Sequence, residues 1–89
     1  MPESPEVEPD PRVVAPRCLV VDDDAAVRST IARVIRTIGL TPLEAEDGGA
    51  ALRLLEEHGE VPLVITDVNM PGVSGMELLE EITRRYPDT

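Results

Sequence analysis

Apolar residues in this chain form short continuous runs that alternate with longer stretches of helical spacing. Two of the continuous runs, residues 18–21 and 63–66, are typical of strands that are buried on both faces of a parallel sheet. A third run, at residues 41–45, contains Pro42, which donates no backbone hydrogen bond. We therefore predict a strand at the edge of the sheet there.

Three further stretches, residues 25–38, 49–58 and 75–85, carry apolar residues at helical spacing and are predicted to be helices. Ser74 and Glu77 match a capping box at the start of the third helix, and Gly39 and Gly59 are the expected ends of the first two. The predicted core-facing residues are Val27, Ile31, Val34, Ile35 and Ile38 in the first helix, Ala51, Leu52 and Leu55 in the second, and Met76, Leu79 and Ile82 in the third.

The resulting order, β-α-β-α-β-α, predicts an α/β fold with a doubly wound parallel sheet and right-handed crossovers. The first strand is apolar on both faces and should be central, whereas the proline-containing second strand belongs at an edge. The predicted strand order is therefore 2-1-3, with the first helix on one face and the other two helices on the opposite face. Such sheets bind ligands between the first and third strands, at their carboxyl ends.

Acidic residues follow both of these strands. Asp22 and Asp23 come directly after the first strand, and Asp67 follows the third. Adjacent strands lie about 4.8 Å apart, so three carboxylates should converge on one ion. Oxygen ligands without His or Cys favour Mg²⁺ or Mn²⁺. Asp24 has a simpler role as the helix N-cap, but three consecutive acids exceed what capping requires.

Composition narrows the range of partners. The formal net charge is −10, and all eight basic residues are Arg. This charge argues against binding of nucleic acid or of an anionic membrane through this chain.

Residues 1–16 are rich in Pro and acids, and we predict a disordered tail there, with the fold in residues 17–89. Cys18 is predicted to be a buried strand residue, and the protein is expected to be cytoplasmic.

Residues 19–24 (LVVDDD) and residues 66–79 (TDVNMPGVSGMELL) closely resemble the receiver domains of bacterial two-component response regulators. The resemblance covers about residues 17–89 and implies a flavodoxin-like fold. It also implies that Asp67 accepts a phosphoryl group from the phosphohistidine of a sensor histidine kinase or a phosphotransfer protein. Mg²⁺ would assist this transfer.

The same resemblance implies individual roles around the metal. Asp23 corresponds to the direct Mg²⁺ ligand, and Asp22 to a second acid that acts largely through metal-bound water. Asp67 and the backbone carbonyl of Asn69 correspond to the remaining protein ligands. In the loop that follows, the resemblance assigns structural roles to Pro71, Gly72 and Gly75, of which Gly75 lets the third helix begin close to the site.

The chain also departs from the family pattern. A full receiver domain has two more strands and helices, with a hydroxyl residue after the fourth strand and a Lys after the fifth. This chain ends after the third helix and contains no Lys. We therefore expect a truncated receiver domain whose third strand is an open edge, and whose monomer is marginally stable or self-associates.

Three functions remain compatible with the sequence. The first is a phosphoacceptor signalling module, which is not an enzyme beyond its own phosphorylation. The second is an interaction or decoy module that binds a kinase without productive switching. The third is a metal-dependent phosphatase, because Asp22, Asp23 and Asp24 also contain an Asp-x-Asp pattern, although the residues around Asp67 fit a receiver domain better.

Overall fold

The computed structural model describes residues 15–70 and 72–89, so most of the predicted disordered tail lies outside the described residues. Strands and helices alternate in the predicted order and within one residue of the predicted bounds. The elements are β1 (Arg17–Val21), α1 (Ala25–Thr37), β2 (Thr41–Ala45), α2 (Gly48–His58), β3 (Leu63–Thr66) and α3 (Gly75–Arg85).

The three strands form one parallel sheet in the order β2-β1-β3, which confirms the predicted topology. Val21, the last residue of β1, lies opposite Ala45 on one side and Thr66 on the other. The carboxyl ends of all three strands therefore lie at one edge of the sheet. The residues that follow β1 and β3 emerge side by side at that edge.

Successive residues of β1 face opposite layers of the core because side chains alternate along a strand. Leu19 and Val21 pack in the larger cluster, with residues of α2 and α3, whereas Cys18 and Val20 pack with Ile35 of α1. These four side chains are buried, and each full burial stabilises the fold by roughly 1.5–3 kcal/mol for residues of the size of Val or Leu. The first helix thus lies on the opposite face from the other two, as predicted.

Each helix begins at a polar side chain that accepts backbone hydrogen bonds. Asp24 accepts bonds from the N–H groups of Ala26 and Val27, which confirms its predicted capping role. Ser74 and Glu77 form the predicted capping box at α3. These contacts provide partners for N–H groups that have none within their helix, each cap being worth about 1 kcal/mol.

The predicted core stripe of α1 is wrong at three of its five positions. Ile35 is buried and Ile31 is partly buried, but Val27, Val34 and Ile38 are exposed, with Ile38 64% exposed. The reason is the geometry of the contact: α1 is the single described helix on its face of a narrow sheet. It therefore buries only the strip around Ala32 and Ile35, and the residues to either side of that strip face solvent.

The predicted core face of α3 is also partly wrong. Ile82 is buried as expected, but Met76 is 55% exposed and Leu79 is exposed, while Leu78 is fully buried. The helix is turned so that Gly75, Leu78 and Ile82 face the core. The close approach of Gly75 to the backbone after β3 sets this rotation, and periodicity alone does not reveal such a contact.

In the described part of the chain, β3 pairs with β1 alone and forms the second edge of the sheet. Its first residue, Leu63, is 44% exposed, and the other three residues are partly buried. The strand therefore has an open side, as predicted.

None of the helices within residues 15–70 and 72–89 combines the length and apolarity needed to cross a bilayer.

Candidate functional site

The sheet ladder continues one residue beyond β1 and β3 and thereby positions two acids. The backbone N–H of Asp22 donates to the carbonyl oxygen of Ala45 at 3.1 Å, and that of Asp67 donates to the carbonyl oxygen of Val21 at 2.9 Å. Both acids are consequently anchored by strand-type hydrogen bonds. Their backbones have little freedom at the carboxyl edge of the sheet.

Asp22, Asp23 and Asp67 converge as the sequence predicts. One carboxylate oxygen from each residue lies within 4.8 Å of those of the other two. Asp22 is buried at 8% exposure, Asp67 is half-buried, and Asp23 is exposed, so the cluster opens to solvent on one side. Three negative charges at this spacing repel one another, and a divalent cation offsets that repulsion. The all-oxygen donor set fits Mg²⁺ or Mn²⁺.

The loop between β1 and α1 is ordered by hydrogen bonds from its own residues. The Oδ1 atom of Asp22 accepts a hydrogen bond from the backbone N–H of Asp24 at 2.9 Å, and Asp24 in turn caps the helix. The carbonyl oxygen of Asp22 accepts a hydrogen bond from Nη1 of Arg28 at 2.9 Å. The sequence alone predicts no functional role for Arg28. The available signal was an Arg in the first turns of the helix that follows the acidic loop.

The loop after β3 orients the carboxylate of Asp67. Its Oδ1 atom accepts the backbone N–H of Asn69 at 3.2 Å, while the hydroxyl of Thr66 donates to the carbonyl oxygen of Asp67 at 3.0 Å. Asn69 is exposed and close in sequence to the cluster, and the role predicted for its backbone carbonyl as a metal ligand stays a prediction. Pro71 lies outside the described residues, and Gly72 adopts φ +77°, where glycine is favoured.

Two glycines allow the neighbouring helices to lie very close to this loop. A Cβ atom on Gly75 would lie 2.8 Å from Cα of Val68 and still closer to the carbonyl oxygen of Asp67. This supports the prediction that Gly75 lets α3 begin beside the site. A Cβ on Gly48, the first residue of α2, would lie 2.8 Å from Cβ of Val73. This second contact was not predicted, because nothing in the local spacing of residues brings Gly48 to Val73.

Comparison with known proteins is consistent with this arrangement. A family model described as "Response regulator receiver domain" matches residues 18–89. The sensor kinase CckA of Brucella abortus is 42% identical over 71 residues, which is 79% of this chain and 8% of that protein. The chemotaxis protein CheY of Pseudomonas aeruginosa is 39% identical over 67 residues, which is 74% of this chain and 53% of that protein.

A solved structure agrees with the sequence relatives. The response regulator protein TrrA of Thermotoga maritima, in complex with Mg²⁺-BeF, matches with a TM-score of 0.76 and 37% identity. The match covers 82% of this chain and 63% of that one. The fold and the acidic edge together define a flavodoxin-like α/β domain with its site at the switch point of the sheet.

The chain belongs to the response regulator receiver domain family, and so to the phosphorelay signalling proteins of two-component systems. Receiver domains are signalling modules that bind Mg²⁺ at an acidic Asp cluster and partner with histidine kinases. The chain spans about half the length of the chemotaxis relative and less than two thirds of TrrA.

Proposed function

We propose that Asp67 is the phosphoacceptor of this domain and that Mg²⁺ is held by Asp22, Asp23, Asp67 and the backbone carbonyl of Asn69. The observation that carries the proposal is the convergence of three carboxylates, from two neighbouring strand ends, within 4.8 Å. The match to TrrA supports it, because that protein was solved with Mg²⁺-BeF.

The hydrogen bonds of Asp67 suggest how it reacts. Its Oδ1 atom is engaged by the N–H of Asn69, which leaves the second carboxylate oxygen to attack phosphorus. In the transfer, the new O–P bond forms as the P–N bond to the donor histidine breaks, and the bonding electron pair stays on the histidine nitrogen. Bound Mg²⁺ would neutralise charge on the phosphoryl oxygens. Asp22 and Asp23 serve to hold that ion.

The proposed phosphoryl donor is a sensor histidine kinase or a phosphotransfer protein. TrrA has been solved in complex with the histidine kinase ThkA, and this chain matches TrrA in that structure with 36% identity and a TM-score of 0.76. Asp67 is half-buried beside the exposed Asp23, so a donor imidazole can approach from the solvent side. The formal net charge of −10 argues against nucleic acid as a partner of this domain, and we place the domain in the cytoplasm.

A direct test is incubation with acetyl phosphate and Mg²⁺, followed by intact-mass measurement. We expect a mass increase of one phosphoryl group, lost when EDTA is added beforehand and absent in Asp67→Asn. Asp88→Asn is the matched control, because this exposed acid lies near the end of the chain and should leave phosphorylation unchanged. Phosphorylation that persists in Asp67→Asn would contradict the assignment of this residue.

The same experiment separates the proposed function from the two other functions that the sequence allows. An interaction or decoy module would bind a kinase yet leave Asp67 unmodified in the acetyl phosphate experiment. A phosphatase would instead turn over a phosphate ester and lose that activity in Asp22→Ala. The mass measurement and a phosphate-release assay therefore separate the three functions.

A further inference from the structure

Arg28 connects the acidic loop to two other elements. It lies in the second turn of α1, and its Nη1 atom donates to the carbonyl oxygen of Asp22 at 2.9 Å. Its Nε atom lies 3.3 Å from Oε1 of Glu44, on β2. The Arg28 side chain is only 19% exposed, whereas that of Glu44 is 35% exposed, so the ion pair is partly open to water. One guanidinium group therefore links α1, β2 and the loop that carries the acids.

The contact with the Asp22 carbonyl has a consequence for Asp23. The carbonyl group of Asp22 and the N–H of Asp23 belong to one planar peptide unit. A donor that holds the carbonyl oxygen limits rotation of this plane, and the plane sets the direction in which Asp23 leaves the strand. Asp22 is also held through its N–H by Ala45. The hydrogen bond from Arg28 restrains the carbonyl group of the same residue, so both backbone polar groups of Asp22 are held.

We propose that Arg28, held by Glu44, is a positioning residue that orients the carboxylates of Asp22 and Asp23 toward a divalent cation. The inference deepens the proposed function and rests on it for the identity of the metal. The contacts of Arg28 in the structure are with the carbonyl oxygen of Asp22 and with Glu44. Arg28 acts through the backbone of the acidic loop, as groups behind metal ligands commonly do.

The charge of Arg28 and its hydrogen bond to the acidic loop have opposite effects on the affinity of the site for a cation. A guanidinium beside a cation site disfavours cation binding by repulsion, and the carboxylate of Glu44 offsets much of that repulsion. Removing the charge of Arg28 would therefore mix two effects of opposite sign. Arg28→Lys separates them, because Lys keeps the charge but lacks the planar fork that reaches Asp22 and Glu44 together.

The first measurement is calorimetric titration with Mg²⁺ alone, at constant ionic strength, on the full chain. We expect Arg28→Lys to raise the Kd for Mg²⁺ by roughly threefold to tenfold, below the usual range for groups behind metal ligands because the contact is to backbone. Glu44→Gln should weaken binding in the same direction. The double variant should weaken it by less than the product of the two single effects, since both changes break one linkage. Arg33→Lys, on an exposed face of α1, is the matched control.

The second measurement needs no metal. Hydrogen exchange by NMR should show the Asp24 amide, which donates to Asp22 Oδ1, exchanging about tenfold faster in Arg28→Lys, because a charge-assisted bond to the loop is lost. The Val20 amide, within the central strand, should be unchanged. A variant with a lower melting temperature but wild-type loop exchange and wild-type Mg²⁺ affinity would show a merely structural role and overturn the proposal.

The two proposals fail in different ways. If Mg²⁺ affinity and loop exchange respond to Arg28→Lys but Asp67 stays unmodified, the phosphoacceptor assignment fails and the positioning role stands. If Asp67 is phosphorylated and neither quantity responds, the positioning role fails alone. If the wild type binds no Mg²⁺, the positioning of a metal site is overturned together with the metal assignment, whatever the exchange rates.

Discussion

Gly75 lies against the backbone of Asp67, with the carbonyl oxygen of Asp67 occupying the space that a Cβ atom on Gly75 would need. The first residue of α3 is thereby in contact with the residue proposed to accept the phosphoryl group. The N–H of Gly75 also donates to the carbonyl oxygen of Val68 at 3.1 Å. The start of this helix and the acidic site are therefore one packed unit.

We predict that Gly75→Ala destabilises the fold by about 1–3 kcal/mol, because backbone atoms cannot yield as a side chain can. The measurement is urea denaturation followed by circular dichroism. The matched control is Gly49→Ala in α2, where a Cβ would meet its nearest neighbour, Asp47 Oδ1, at 3.4 Å. That change should be neutral or stabilise the helix by up to roughly 1 kcal/mol. Equal stability of the two variants would contradict the close contact at Gly75.

The acidic cluster predicts that Asp67→Asn raises the stability of the fold without Mg²⁺ and lowers the stability gained when Mg²⁺ binds. Asp67→Asn removes one of three mutually repelling charges, so without Mg²⁺ the variant should be more stable than the wild type by about 1 kcal/mol. The wild type should gain roughly 2.7 kcal/mol when Mg²⁺ is present at a hundred times its Kd. Asp67→Asn should show a smaller gain at the same Mg²⁺ concentration.

Thermal melts in EDTA and in a Mg²⁺ series would test this reversal of order. Asp88→Asn is again the control and should leave both melts unchanged. A variant that is less stable than the wild type in EDTA would show that Asp67 stabilises the fold through its hydrogen bonds more than it destabilises it through charge.

Cys18 makes stability depend on pH at the alkaline end. The side chain is fully buried, and desolvation raises the pKa of its thiol above the ordinary value of 9.0. The unfolded chain ionises first as the pH rises, so the stability associated with the neutral thiol is complete below about pH 9 and is lost as the pH rises toward the folded pKa. Cys18→Ala should abolish this component of the pH dependence, although it lowers stability at every pH.

Urea denaturation of both proteins between pH 7 and pH 10 measures the difference. A second readout is alkylation of the thiol, which should be slow in the folded protein and should accelerate in urea as the chain unfolds. Rapid alkylation without urea would contradict the burial of Cys18.

The open side of β3 predicts self-association. Leu63 is 44% exposed on a strand that pairs with β1 alone among the described residues. Unpaired backbone groups and apolar side chains on such an edge favour pairing with a second copy. Sedimentation velocity should therefore show concentration-dependent association, and Leu63→Lys should shift the protein toward monomer by placing a charge on the edge.

Met76→Lys is the matched control, because Met76 is a similarly exposed apolar residue on α3 rather than on the sheet edge. It should leave the association unchanged. A wild-type protein that sediments as a monomer at every concentration and unfolds sharply at high temperature would refute the prediction.

Much of the fold was predictable because local sequence carries it. The continuous apolar runs defined strands, Pro42 marked an edge strand, and the caps at Asp24 and Ser74 marked where helices begin. Strand order followed from these elements, and it was enough to bring the acids after β1 and β3 together. The acidic cluster was thus predictable from patterning and topology, without knowledge of side-chain packing.

Packing decided the features that the sequence did not reveal. Periodicity shows which residues share a helix face, but it does not show how wide a strip the sheet covers, so Val34 and Ile38 were wrongly predicted to be in the core. Nor does it show the small rotation that buries Leu78 in place of Leu79. A helix can turn by a fraction of a residue with little change in its own hydrogen bonds, so only its neighbours select the rotation.

The convergence of Asp67 with Asp22 and Asp23 was therefore determined by the sequence, through the order of the strands. The contacts that hold these acids in place were decided by the tertiary structure. Glu44 and Arg28 are sixteen positions apart and meet only because β2 and α1 both flank β1. The restraint on Asp22 is in turn a contact of the Arg28 side chain with a backbone carbonyl, and the presence of an Arg in the helix does not by itself reveal that contact. Long-range contacts of this kind depend on how the elements pack, and the order of residues along the chain does not specify that packing by itself.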